Sequence, residues 1–143
     1  MRLEEGDHRS LVLWAVECAE RVLPYFEEKH PEDKRPRDAL EAGRGWVRGE
    51  IPMSQVRAAA LAAHAAARDA DGGAARAAAR AAGHAAATAH VAGHAPHAAD
   101  YALSALTEAL SLGSAAADEE RDWQYRRLPE SLRSVAFPAR GND

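Results

Sequence analysis

Five histidines fall between Arg57 and His97: His64, His84, His90, His94 and His97. Imidazole ligates metals, hydrogen-bonds as donor or acceptor and titrates near neutrality, so this stretch is the part of the chain best equipped for chemistry. His90 and His94 stand four apart, the spacing at which two rings on one helix can chelate a transition metal. The stretch lacks the glutamate of a zinc-protease helix, and no cysteine pair or nearby carboxylate completes a ligand set. Pro96 interrupts the approach to His97. The plainer reading is histidines on a polar face or hydrogen-bonded between helices. A second constellation is His64, Arg68, Arg76, Arg80 and His84. If two polar stripes face each other, these side chains line a cationic groove suited to a small anion, carboxylate or phosphate; facing water, they are ordinary surface. A histidine could move a proton near neutral pH. Yet no serine or cysteine pairs with a histidine as a nucleophile would, and there is no glycine-rich phosphate loop or paired-carboxylate motif. The residue types favour binding over catalysis, and no cofactor motif is present.

Two related segments must position these residues. Ala62-Ala63-His64-Ala65-Ala66-Ala67 returns twenty positions later as Ala82-Gly83-His84-Ala85-Ala86-Ala87. Asp71-Gly72-Gly73 between them is a turn signal. The pattern predicts a helical hairpin, with one helix from Ser54 to Ala70 and the next from Ala74 to Ala92. At 100° per residue, Arg57, Leu61, His64, Arg68 and Asp71 share a stripe of the first helix. On the second helix Arg76, Arg80 and His84 share a side with Val91 and His94, and His90 sits at its margin. Ala75, Ala78, Ala82, Ala85 and Ala89 form the opposite, small face.

The flanking elements read as helices too. Leu11, Trp14, Ala15, Cys18, Val22 and Phe26 recur at three- and four-residue spacing after Ser10, with Pro24 kinking or ending the pattern. A polar loop over 27–37 precedes a helix from Arg37 to Arg48, where Gly43 marks a close helix crossing. Arg37, Arg44 and Arg48 give that helix a basic edge. Further helices follow from Pro96 to Leu112, with Ala109 among the apolar positions, and from Ala115 to Leu128. Asp118, Glu119 and Glu120 suit the positive end of the latter's dipole. A short turn bearing Leu132 and Val135 ends the pattern. The fold class is therefore all-α: a compact bundle of five or six helices around an alanine-rich hairpin. It forms one domain over 1–143, ordered from about 10 to 137, with a frayed acidic N-terminus and a short tail. Trp14, Phe26, Trp46, Tyr101, Trp123 and Phe137 are the large anchors, and Cys18 is a buried structural thiol within the first apolar stripe.

The formal net charge of −4 argues against general nucleic-acid binding. A single cysteine permits no intramolecular disulfide and points to the cytoplasm. Met1 to Asp7 lacks the apolar run of a signal peptide. Arg68, Asp69, Asp71, Arg76 and Arg80 interrupt the alanine tract, so no membrane span is expected. Alanine faces would also serve a homo-oligomer interface.

A longer ordered set of residues carries a resemblance. Trp14-Ala15-Val16-Glu17-Cys18, Val22-Leu23-Pro24, Arg35-Pro36-Arg37 and Glu41-Ala42 come first. Trp46-Val47-Arg48-Gly49-Glu50-Ile51 and Ala63-His64 through Arg68 follow. Then come Arg80-Ala81-Ala82-Gly83-His84, Thr88-Ala89-His90-Val91, His94-Ala95 and Ala99-Asp100-Tyr101-Ala102. Over about residues 10–112 this resembles the bacterial Imm-5-like family, and Trp123-Gln124 and Leu128-Pro129 extend the likeness. The resemblance implies an immunity protein that neutralises a polymorphic toxin by direct binding. His64, His84, His90 and His94 match the family's pattern, whereas Pro96 and His97 depart from it.

Overall fold

The computed structural model describes residues 3–110 and 114–138. Among these residues there are eight α-helices and no strand: α1 Glu5–Glu20, α2 Leu23–Glu27, α3 Arg35–Val47, α4 Met53–Asp69, α5 Gly73–Ala87, α6 Ala95–Leu110, α7 Ser114–Arg127 and α8 Arg133–Ala136. Short 3-10 turns occupy Ala92–His94 and Glu130–Leu132. The all-α expectation holds, while the count of five or six helices is corrected to eight. Six of the eight have thirteen residues or more. The extra two arise at prolines. Pro24 divides the first apolar stripe, because a proline fits the opening turn of a new helix better than the interior of an old one. Pro129 likewise separates α7 from the final turns.

Several boundaries also move for local reasons. The expected helix start at Ser10 lies inside α1, which begins at Glu5 and so orders much of the expected N-terminal fray. His8 helps to tie this segment down: its Nε2 lies 2.7 Å from the Thr88 carbonyl oxygen, and its ring meets Trp46 edge-on. Pro36 lies in the first turn of α3 rather than in the preceding loop. Asp33 accepts hydrogen bonds from the Arg35 amide and guanidinium and anchors that start. Asp118, Glu119 and Glu120 fall beyond the first turn of α7, so they do not serve as N-terminal dipole partners. Leu112 and residues 139–143 of the expected tail lie outside the described residues.

Helix α5 is the axis of the molecule. It packs against α1, α2, α3, α4 and α6. Every predicted member of its small face (Ala75, Ala78, Ala82, Ala85 and, just past its end, Ala89) is buried, as are Ala77, Ala79, Ala81 and Ala86. A helix apolar nearly all round must be central, and alanine lets its neighbours approach closely. Gly43 in α3 marks one such close approach. An added Cβ would stand 3.1 Å from Val16 Cγ2 on α1 and 4.0 Å from the Ala86 backbone on α5, so the expected close crossing is present. Larger side chains fill the periphery of this alanine centre: Leu11, Val12, Trp14, Leu23, Phe26 and Leu40 are buried. Trp46, Tyr101, Trp123 and Phe137 pack on its margin instead. Ala109 is exposed despite its apolar register on α6.

Helix α7 docks through polar groups. Trp14 Nε1 donates to the Gln124 carbonyl at 2.8 Å, and Gln124 Nε2 donates to the Ala99 carbonyl at 3.0 Å. Arg21 holds the buried Glu120 carboxylate with two 2.8 Å hydrogen bonds while its guanidinium lies 3.8 Å from the centre of the Trp123 ring. Cys18 is fully buried beneath this contact, and burial, reinforced by Glu120 and Glu17, pushes its thiol far above the ordinary range. It is a structural thiol. The basic edge of α3 is neutralised: Arg37 pairs with Glu20 and Glu27, Arg44 with Glu20 and Glu41, and Arg48 with Glu50. Burial opposes ionisation of Glu20, but hydrogen bonds from Arg44 and Arg37 outweigh it and hold its carboxyl below the usual value.

Candidate functional site

Tight packing of α4 on α5 decides where the histidines go. Gly72, at φ +94°, makes the turn of the hairpin in a conformation that a side chain would strain. The two polar stripes then meet along one edge. His64 of α4 lies over Gly83 of α5, so closely that a Cβ on Gly83 would stand 2.6 Å from His64 Cε1. The His64 and His84 rings meet edge to face at 4.8 Å. His84 Nδ1 lies 3.0 Å from His94 Nδ1, and His84 stacks on Tyr101 of α6 at 5.3 Å with only 7° between the planes. His97 also approaches His84, with ring centres 5.3 Å apart.

The Nδ1–Nδ1 contact has a chemical requirement. One nitrogen must carry a proton and the other a lone pair, so at least one ring must be neutral. The surroundings supply that condition. Burial, followed by the neighbouring His64, His94, His97 and Arg80, lowers His84 from 6.5 to about 4. Burial also lowers His64, helped by His94, Arg80 and Arg68; His94 falls through burial, His97 and His90. At neutral pH the His64, His84 and His94 rings are therefore neutral, and arginine supplies positive charge beside them.

The expected site residues are divided by this geometry. His64, His84 and His94 converge, and Arg80 and Arg68 lie within electrostatic reach of His64. Arg76 turns away: its Nε and Nη2 donate to the Ala67 and Ala70 carbonyls, satisfying the C-terminal end of α4. His90 is exposed at the rim. Because α5 ends at Ala87, His90 lies in the following turn and His94 in the next 3-10 turn, so the two do not share the helix on which an i,i+4 chelate would depend. Among the described residues no group of three or more histidine, cysteine, aspartate or glutamate side chains is arranged to hold a metal ion.

His97 and Tyr101 join the cluster, although Pro96 interrupts the approach to the first and the apolar pattern makes the second a core anchor. Pro96 concealed them. It occupies the opening turn of α6, where its missing N–H costs nothing, and thus starts the helix that carries His97 and Tyr101 four residues apart on one face. That i,i+4 pair was the available signal.

Beside the rings runs a groove of about 210 Å³, lined by Arg57, Leu61, His64, Ala87, His90 and His94. Leu61 is 70% exposed and nearby Val91 47%. Larger depressions lie elsewhere. One, of about 440 Å³, contains the Arg21–Glu120 pair, whose charges already satisfy each other. The histidine groove instead joins exposed apolar side chains to cations.

The fold and this cluster define an all-α protein with a histidine-lined groove on one face. The chain belongs to the family described as Imm-5 like putative immunity protein, whose model matches residues 1–131. No curated protein and no solved structure matches it. Among the described residues no helix is long and apolar enough to cross a membrane.

Proposed function

We propose that the protein neutralises a bacterial toxin by binding it directly. The observation that carries this reading is family membership across residues 1–131. A rigid scaffold supports it, since the alanine-packed core presents the groove-facing side chains from three consecutive helical elements. Steric or allosteric blockade requires no catalytic residues of the immunity protein, so the sparse nucleophile and carboxylate chemistry of the groove fits the reading. Its site of action would be the cytoplasm, a compartment compatible with one buried, unpaired cysteine.

Coexpression with the product of a neighbouring toxin-like gene tests the proposal. Survival should be restored, and the two proteins should co-purify through a tag on either one. Equal killing with and without this chain, together with no co-purification, would remove the reading for that pair.

A further inference from the structure

The arginines of this molecule are unevenly satisfied. Away from the groove most hold carboxylates: Arg21 with Glu120, Arg35 with Asp33 and Asp69, Arg37 and Arg44 with Glu20, Arg121 with Asp100, and Arg127 with Glu17, while Arg76 and Arg133 donate to backbone carbonyls. Among the described residues, Arg57, Arg68 and Arg80 on the groove side make no ion pair with a carboxylate. Arg57 lines the groove, which contains no acidic side chain in its wall. Thus, in a chain with a formal charge of −4, these three arginines keep their positive charge without a carboxylate partner. The groove side also exposes Leu61 and Val91.

The groove's size and chemistry restrict what it can receive. At about 210 Å³ it is smaller than the roughly 300–1,000 Å³ typical of small-molecule and cofactor sites. One large apolar side chain is a better match, seated against Ala60, Ala87 and Leu61. Arg57 in its wall, with Arg68 and Arg80 in electrostatic reach of His64, calls for carboxylates from the same partner, which would be steered by charge and fixed by the apolar anchor. Nucleic acid would supply phosphates but no aliphatic group for the groove. We infer that the Arg57–Leu61–His64–His94 face is the toxin-docking surface and receives an acidic segment that offers one apolar side chain to the groove. This inference rests on the proposed function and specifies the surface and the partner chemistry.

Two measurements separate the inference from the reading beneath it. In the first, the full chain and its Arg57→Glu and Leu61→Asp variants are titrated with the coexpressed toxin. Arg48→Glu and Arg127→Glu serve as controls on other faces, and circular dichroism checks every fold. Binding should weaken at least tenfold in both groove variants and less than twofold in the controls. Toxin binding that persists within twofold in both groove variants overturns the surface assignment but leaves neutralisation intact.

The second measurement uses no toxin. Ten-residue glutamate–leucine and lysine–leucine peptides and inorganic phosphate are added to the protein while the His64, His94 and Leu61 resonances are followed. The glutamate–leucine peptide should shift all three, and Leu61→Asp should abolish the effect. Equal shifts from the lysine–leucine peptide, no shift from the acidic peptide, or saturation by phosphate alone overturns the partner chemistry. Dimerisation in sedimentation that is lost in Leu61→Asp would instead make this face a contact between copies and overturn the docking assignment.

Discussion

At the scale of single residues, Gly83 decides whether the cluster exists. A methyl group there would stand within 3 Å of three His64 ring atoms. The ring would have to swing away and give up its contact with His84. Gly83→Ala should therefore cost about 1–2 kcal/mol of unfolding free energy by overpacking. In a His64→Ala background the same substitution should be neutral or stabilising, because alanine is about 1 kcal/mol better than glycine inside a helix. Urea unfolding of the four proteins checks this, and equal effects in both backgrounds would contradict the contact.

Protonation gives an independent prediction. The folded-state value of His84, about 4, lies below its ordinary 6.5, so the unfolded chain takes up this proton first as pH falls. The stabilisation is fully present above about pH 6.5 and is lost progressively toward pH 4. His64 and His94 act in the same direction. Allowing for screening at a half-buried site, stability should fall by about 1 kcal/mol between pH 7 and pH 5. Glu20 and Asp33 have lowered values and lose their contribution only further into acid, so they do not account for a loss in this interval. The fall in stability over this interval, read from denaturation at each pH, should be smaller in His84→Phe, which keeps a ring against Tyr101. His64, His84, His90 and His94 were legible as a set through the family likeness, whereas spacing alone divided them between a His90–His94 pair and the stripes of His64 and His84. The direction of the Arg76 guanidinium was not, because a stripe on a wheel does not reveal that the preceding helix needs its carbonyls satisfied.

At the scale of elements, α5 carries the heaviest packing demand. Ala82 is fully buried on a helix surrounded by five others. Ala82→Leu should destabilise the protein by about 1–3 kcal/mol or more, since a close-packed alanine centre has no room for three further carbons. Ala58→Leu, on the exposed side of α4, should change stability by less than about 0.5 kcal/mol. Thermal denaturation distinguishes the two, and similar melting temperatures would argue against a central α5. The hairpin, its Gly72–Gly73 turn and the small face of α5 could be read from the alanine pattern. The end of α5 could not, because the alanine-rich run continues through Ala89 while the backbone turns after Ala87. Pro96 was similarly ambiguous: it breaks a helix interior but is at home in a first turn, and only the register of α6 selects between these.

At the scale of the molecule, α7 depends on a few buried polar groups to attach a highly charged helix to the body. Gln124→Ala removes the amide that donates to the Ala99 carbonyl and accepts from Arg121. The expected cost is about 1–3 kcal/mol, from the lost hydrogen bonds and the space left by a fully buried side chain. Hydrogen exchange should show α7 opening before α5, and unchanged protection of α7 would contradict this attachment. By itself the sequence determined an all-α chain with a central alanine hairpin and placed His64 on the polar stripe of one hairpin helix and His84 on that of the other, because helical periodicity and small side chains are local properties. It also carried the family likeness through the order of its motifs. Only the tertiary structure decided that His97 and Tyr101 join His84, that Arg76 leaves to satisfy α4, and that the arginines beside the groove remain without carboxylates. Those outcomes depend on which helix ends meet and which charges are consumed elsewhere, and neither is fixed by spacing along the chain.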